Sequence, residues 1–158
     1  MRKRKINPEY LRRITSSEIR DEKLDALVLA NALREFSSNY LAGILTVSIN
    51  GQANGFVNLK MPVVSYLIRL LCEEAVDEMV ECTVNLGEKL VIETTYPAIS
   101  NHELTANVVK IARFAGFKVD REGDILIFSA NIETTAVLHI YAVSSDEILH
   151  WLVTTYNM

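Results

Sequence analysis

The sequence predicts an α+β protein, a two-layer sandwich in which a mixed, mostly antiparallel sheet carries helices on one face. Two observations lead to this fold class. Short strands with alternating apolar residues come in pairs joined by tight, glycine-containing turns, which favour antiparallel neighbours. The helices between these pairs are apolar on a single face, so each has one side to bury against a sheet.

Composition bounds the class of protein. The chain has 158 residues, 49% hydrophobic and 23% charged, which suits one globular domain with an appended arm. Its net charge of −4 provides no overall attraction for nucleic acid. No apolar run approaches the roughly 18 residues of a membrane span. Cys72 and Cys82 lie among apolar residues, so we expect buried thiols in a reducing cytoplasm.

The N-terminal part divides into two segments. Residues 1–16 begin with the basic run MRKRKINPEYLRR, which predicts a solvated arm or linker; a contact with an anionic surface is the alternative. Residues 17–40 are predicted to be helical, because their apolar residues recur at helical spacing up to a stop at the SSN of residues 37–39. Residues 41–158 would form the main domain.

Paired strands and helices alternate through this domain. GILTVSINGQANGFVNLKM is typical of a hairpin, and Pro62 suits the first turn of a helix that we expect to run to about Val80. The predicted buried face of that helix comprises Val64, Ile68, Leu71, Cys72, Ala75 and Met79. CTVNL and KLVIETT then form a hairpin around Gly87-Glu88.

The rest of the chain repeats this pattern. HELTANVVKIARFAG predicts a second amphipathic helix that stops at Gly116, and FKVD and DILIFSANI predict a hairpin around REG. TAVLHIYAV predicts one more strand. SSDEILHWLVTTY predicts a closing helix, whose Ser144 and Glu147 have capping-box spacing.

Five carboxylates crowd the stretch LLCEEAVDEMVE, namely Glu73, Glu74, Asp77, Glu78 and Glu81. On a helix, Glu73 and Asp77 form an i,i+4 pair that points away from the core, and like charges at this spacing are mildly destabilising. A Mg²⁺ or Ca²⁺ ion would relieve that repulsion. The leading interpretation is a solvated helix face, and a metal contact is the alternative.

Histidines offer one further candidate. NHELT places His102 beside Glu103 at a helix start, a short match to the phosphoacceptor box of sensor kinases. The competing interpretation, which we favour, is an ordinary residue at a helix N-terminus. His139 and His150 have no nucleophile or ligand partner at functional spacing, and the glycines form no phosphate-binding loop.

From about Ile44 to Ile132 the order of elements resembles the ATP-binding domain of sensor histidine kinases, in the GHKL superfamily. VNLKMPVVSYLIRLLCEEAVDEMVE is similar to the strand and long helix that end in the family's Leu-Leu-x-Asn-Ala-Ile box. CTVNLGEKLVIETTYPA resembles the hairpin that leads into Asp-x-Gly-x-Gly. ELTANVVKIARFAGFKV resembles the helix that opens with the family's Gly-Leu-Gly-Leu lid motif and ends in a Gly pair, and DREGDILIFSANI resembles the final hairpin.

The resemblance also assigns family positions. Glu74 stands where the family has the Asn that holds magnesium, Tyr96 where it has the adenine-binding Asp, and Ala98 where it has a Gly. Asp77, Asn101 and Thr105 complete the nucleotide-binding positions, and the lid glycines are replaced around residues 104–107. Because side chains there obstruct the approach of backbone N–H groups to phosphates, the resemblance argues for the fold and against normal ATP binding.

The resulting hypothesis is a degenerate histidine-kinase ATPase-like domain of a bacterial two-component system, cytoplasmic and acting through protein interaction. Its partner would be itself, another kinase or a response regulator, and Ser17–Phe36 would correspond to a remnant of a dimerising segment. No cofactor is expected, and ATP with Mg²⁺ only if the site still functions. Alternatives are a weakly active kinase that uses His102 or Glu74, and an unrelated α+β interaction module.

Overall fold

The computed structural model describes residues 8–16, 18–73, 79–95, 102–134 and 143–157, with only the backbone of residues 102–104. Its helices are α1 (Pro8–Ile14), α2 (Ala26–Tyr40), α3 (Met61–Glu73), α4 (His102–Ala115) and α5 (Ser145–Tyr156). Its strands are β1 (Glu22–Asp25), β2 (Leu45–Gly51), β3 (Phe56–Leu59), β4 (Val80–Leu86), β5 (Lys89–Thr95), β6 (Lys118–Glu122) and β7 (Ile125–Asn131). None of the helices within these ranges has the length and apolar character that a membrane crossing needs.

Five strands form the main sheet in the order β2-β4-β5-β7-β6. β2 runs parallel to β4, and the other three pairs are antiparallel. Two of these pairs, β4–β5 and β6–β7, are the predicted hairpins, and Gly123 takes the left-handed φ of +58° in the second turn. The predicted fold class, a mixed and mostly antiparallel sheet with helices, is therefore confirmed.

The predicted hairpin of β2 with β3 is wrong. β3 pairs instead with β1 in a separate antiparallel sheet, with Leu24 opposite Val57. Gly55, which directly precedes β3, packs closely against the segment that follows β7. A Cβ on residue 55 would lie 2.4 Å from Ile132 Cγ2, so a side chain would not fit there. The Gly55 carbonyl also accepts a hydrogen bond from the Ala26 N–H at 3.0 Å, which connects the small sheet to the start of α2.

The N-terminal helix begins later than predicted. Residues 22–25 form strand β1 and α2 begins at Ala26, because the Asp25 carboxylate accepts a hydrogen bond from the Val28 N–H at 3.0 Å and caps the helix. Leu24 has the spacing of a helical residue, yet it is fully buried in the strand. The α2 residues Leu29, Leu33 and Phe36 belong to the same apolar core as the main sheet.

Part of the predicted solvated arm is packed against the domain. Residues 8–14 form α1, and its Tyr10 and Ile14 are buried against Tyr66 of α3. Tyr66 is two residues from the sheet-facing Ile68, so it lies about 160° around the helix from it. α1 therefore covers the side of α3 that faces away from the sheet.

α3 is buried on almost every side, and it ends before the predicted Val80, because Met79 is not helical and Val80 begins β4. Residues 61–69 are all buried, which is typical of a helix enclosed by other elements. Val64, Ile68, Leu71 and Cys72 lie on the buried face as predicted, but Met79, which directly precedes β4, is 44% exposed. Ala75 lies outside the described residues.

The closing helix α5 packs on α2 and α3. The Ser144 hydroxyl accepts a hydrogen bond from the Glu147 N–H at 3.2 Å, which confirms the predicted N-terminal cap. Glu133, in the segment after β7, forms an isolated bridge with Phe56 of β3. This bridge joins the end of the main sheet to the small sheet. Most of the predicted strand TAVLHIYAV, residues 135–142, lies outside the described residues.

Glu22 of β1 has a partly buried carboxylate that lies near Glu147 of α5. One oxygen of Glu22, Oε2, is buried without a hydrogen-bond partner in the described structure. Burial raises the pKa of Glu22, and the nearby carboxylate of Glu147 raises it further. A folded-state pKa above the unfolded one favours folding below the unfolded pKa, and this contribution is lost as the pH rises through the folded pKa.

We therefore expect Glu22→Gln to raise the melting temperature at pH 7, because the amide removes the penalty of a buried charge. The gain should disappear below the ordinary glutamate pKa, where both variants are neutral. Thermal unfolding by circular dichroism at pH 7 and at pH 4 measures this difference. Glu147→Gln serves as the control and should give a smaller rise; an equal gain from Glu22→Gln at both pH values would contradict the prediction.

Candidate functional site

Five of the predicted nucleotide positions, Glu74, Asp77, Tyr96, Ala98 and Asn101, lie outside the described residues. His102 is the first residue of α4, as predicted, and its side chain is not described. Of the predicted positions, the structure places the side chain of Thr105 alone.

The end of α3 is held by a buried cation. Arg69 is 3% exposed, and its Nε donates to Glu73 Oε1 at 2.7 Å. Its Nη1 donates to the Thr155 carbonyl of α5 at 2.9 Å. The orientation of α3, one residue before Glu74, is therefore tied to the C-terminal helix.

The five carboxylates of LLCEEAVDEMVE do not share one helix. Glu73 is the last residue of α3, whereas Glu81 lies on strand β4, where its N–H donates to Thr95 Oγ1 at 2.9 Å. The prediction of a continuous acidic helix face is therefore wrong at its C-terminal end. Within the described parts of the chain no group of three metal-binding side chains converges.

α4, His102–Ala115, is the helix that HELTANVVKIARFAG predicts. Val108, Ala112 and Ala115 are fully buried, and Thr105 is 8% exposed. Gly116 ends the helix with a φ of +116°, and the Lys60 N–H donates to the Ala115 carbonyl at 2.9 Å, which attaches the helix end to the start of α3.

An open depression lies along one side of α4. It has a volume of about 470 Å³ and is lined by a set of residues that we call the α4 flank: Thr105, Ala106, Val109, Lys110 and Arg113. The side chains of Lys110 and Arg113 are exposed, and neither side chain forms an ion pair or a hydrogen bond with another described residue. The α4 flank is therefore basic, although the net charge of the whole chain is negative.

The cysteines and the described histidine offer no catalytic group. Burial raises the pKa of the Cys72 thiol to about 12 and that of the Cys82 thiol to about 11. Both thiols are free, buried and protonated at neutral pH, as the sequence predicted, so neither is a thiolate nucleophile. His150 is exposed on α5, and His139 lies outside the described residues.

Sequence reasoning missed two structural features near the candidate site. Arg69 and Glu73 have i,i+4 spacing, so an ion pair was detectable, but the contact with Thr155 was not because it joins residues far apart in the chain. Lys110 and Arg113 are neighbours on a helix surface by their i,i+3 spacing. Their position beside a depression depends on the tertiary structure.

Comparison with known proteins gives one structural relative to report. No family model and no curated protein sequence matches the chain. Chains of solved structures do match, among them the histidine kinase AdeS of Acinetobacter baumannii, with 16% sequence identity and a TM-score of 0.47. The match covers 79% of this chain and 75% of the kinase chain.

Proposed function

We propose that this protein is a histidine-kinase ATPase-like domain that has lost normal ATP binding and acts in signal transduction through protein interaction. The region of the sequence resemblance supports the first part. Strand β3 followed by α3, the β4–β5 hairpin, α4 and the β6–β7 hairpin occur in the order that the resemblance implies. They belong to one apolar core.

The conformation of α4 supports the loss of ATP binding. Residues 102–115 form a continuous helix, so the positions of the lid glycines around residues 104–107 belong to its first turns. A phosphate-binding lid needs backbone N–H groups that a ligand can approach closely. Here the N–H groups from Ala106 onward are used within the helix, and Thr105 is buried.

The substitutions at the remaining family positions act in the same direction. Glu74 would repel phosphate and cannot donate the hydrogen bonds of an amide, and Tyr96 cannot accept the adenine amino group as a carboxylate does. Glu74 remains able to ligate Mg²⁺ through oxygen. The proposal therefore rests on the combined loss of phosphate and adenine contacts.

Mg-ATP is expected to leave the melting temperature unchanged, because a ligand stabilises a protein only by binding its folded state. The measurement is thermal unfolding with increasing Mg-ATP, with Mg²⁺ alone as the reference and Glu74→Ala as the matched variant. A rise of several degrees with Mg-ATP, abolished in Glu74→Ala, would overturn the loss of the site. In that case incubation with labelled ATP, comparing wild type with His102→Ala, tests the kinase activity directly.

A further inference from the structure

The α4 flank combines unpaired positive charge with an apolar floor. Ala106 and Val109 lie between Thr105 and the two cations, and the depression along them opens to solvent. Lys110 and Arg113 are exposed without an ion-pair partner among the described residues. The opposite side of α4 is buried in the core through Val108 and Ala112. The flank is thus an accessible surface on a fixed element.

Its charge differs from that of the chain as a whole. The sequence has 20 acidic and 16 basic residues, yet no carboxylate lines the depression in the described structure. Some basic side chains elsewhere in the described chain form ion pairs, such as Lys60 with Asp21 at 2.8 Å and Arg69 with Glu73. Two neighbouring cations without such partners on a net acidic protein are complementary to an acidic ligand.

We infer that the α4 flank is the docking surface for an acidic segment of a protein partner, with carboxylates on Lys110 and Arg113 and an apolar side chain over Ala106 and Val109. This inference rests on the proposed function, because it names the surface by which the domain would interact. The guanidinium of Arg113 can bind a carboxylate through two parallel hydrogen bonds, whereas Lys110 contributes a point charge. A small, exposed contact of this kind predicts weak and salt-dependent binding.

The experiment uses the full chain and a fluorescein-labelled short peptide of glutamate and leucine, titrated by fluorescence anisotropy at low and high salt. Lys110→Glu/Arg113→Glu is expected to weaken binding by about tenfold. Each surface ion pair contributes modestly, but the variant loses two of them and repels the acidic peptide. Lys89→Glu/Lys118→Glu is the matched control, because both lysines are exposed strand residues outside the flank and the net charge changes equally. Circular dichroism verifies that both variants are folded.

The outcomes separate this inference from the proposed function. Loss of binding in the flank variant, with the control unchanged, supports the inference. Equal losses in both variants, no binding by the wild type, or equal binding of a lysine-leucine peptide would overturn it, whatever Mg-ATP does. Displacement of the peptide by inorganic triphosphate at a lower concentration than by unlabelled peptide would also overturn it, in favour of a phosphate ligand. A melting shift with Mg-ATP would overturn only the proposed function.

Discussion

Phe128→Ala is expected to lower the free energy of unfolding by about 3–5 kcal/mol, the largest effect of any single substitution considered for this protein. Phe128 lies on β7, between Ile92 of β5 and Val119 of β6, and is 1% exposed. Its ring centroid is 5.9 Å from that of Phe117. Truncation removes the buried ring and leaves a cavity. Because β7 lies between two other strands, its backbone cannot easily move inward to fill that cavity.

For a domain of this length, the expected fall in melting temperature is on the order of 10 °C. Urea unfolding followed by circular dichroism measures the free energy directly. Ile127→Ala is the matched control, because it lies on the same strand with its half-exposed side chain on the opposite face of the sheet. A loss from Phe128→Ala no greater than that from Ile127→Ala would contradict the position of Phe128 at the centre of the core.

The sequence predicted those elements whose signals are local. The β4–β5 turn at Gly87-Glu88 and the β6–β7 turn at Gly123 lie between strands with alternating apolar residues, and both hairpins form. Gly116 and Ser144 mark helix ends through their own backbone or side-chain hydrogen bonds. In each case a few neighbouring residues are sufficient to define the structure.

The errors concern partners that are distant in the chain. β2 resembles the first strand of a hairpin, but its partner is β4, and Leu45 lies opposite Val80 in a parallel ladder. Parallel neighbours require a crossover, here through β3 and α3, which no local turn signal reveals. Similarly, Leu24 fits a helical pattern, and only its pairing with Val57 on β3 makes it a strand residue.

The candidate site was predictable in outline only. The sequence located the end of β5 and the start of α4, because apolar periodicity and family resemblance both mark them. The α4 flank depends on which side of the helix faces the core, and the periodicity that buries Val108 and Ala112 leaves Lys110 and Arg113 exposed. That Arg113 has no ion-pair partner among the described residues depends on the tertiary structure and does not follow from the helical pattern.

Two of the elements outside the resemblance, α1 and α5, meet at α3. The Tyr10 hydroxyl of α1 and Thr155 Oγ1 of α5 form a buried hydrogen bond of 2.7 Å. Arg69 of α3 donates to the carbonyl of the same Thr155. The ends of the chain are therefore coupled to the end of α3, adjacent to Glu74, through one small polar cluster.

Arg69→Ala is expected to lower the free energy of unfolding by about 2–4 kcal/mol, because the buried carbonyl of Thr155 loses its charged donor and keeps only the Asn157 N–H, and Glu73 loses its cation. Glu73 is 25% exposed and is rehydrated in part, so the loss of the carbonyl contact should dominate. Urea unfolding measures the total, and a double-mutant cycle with Glu73→Gln measures the share of the ion pair. In Arg69→Ala, hydrogen exchange should show that α5 opens faster than the β4–β5 hairpin. Arg34→Ala is the control, because Arg34 is an exposed helical arginine on α2. If Arg34→Ala lowers the free energy of unfolding as much as Arg69→Ala does, the coupling of α5 to α3 through Arg69 is excluded. The same holds if α5 keeps its protection from exchange in Arg69→Ala.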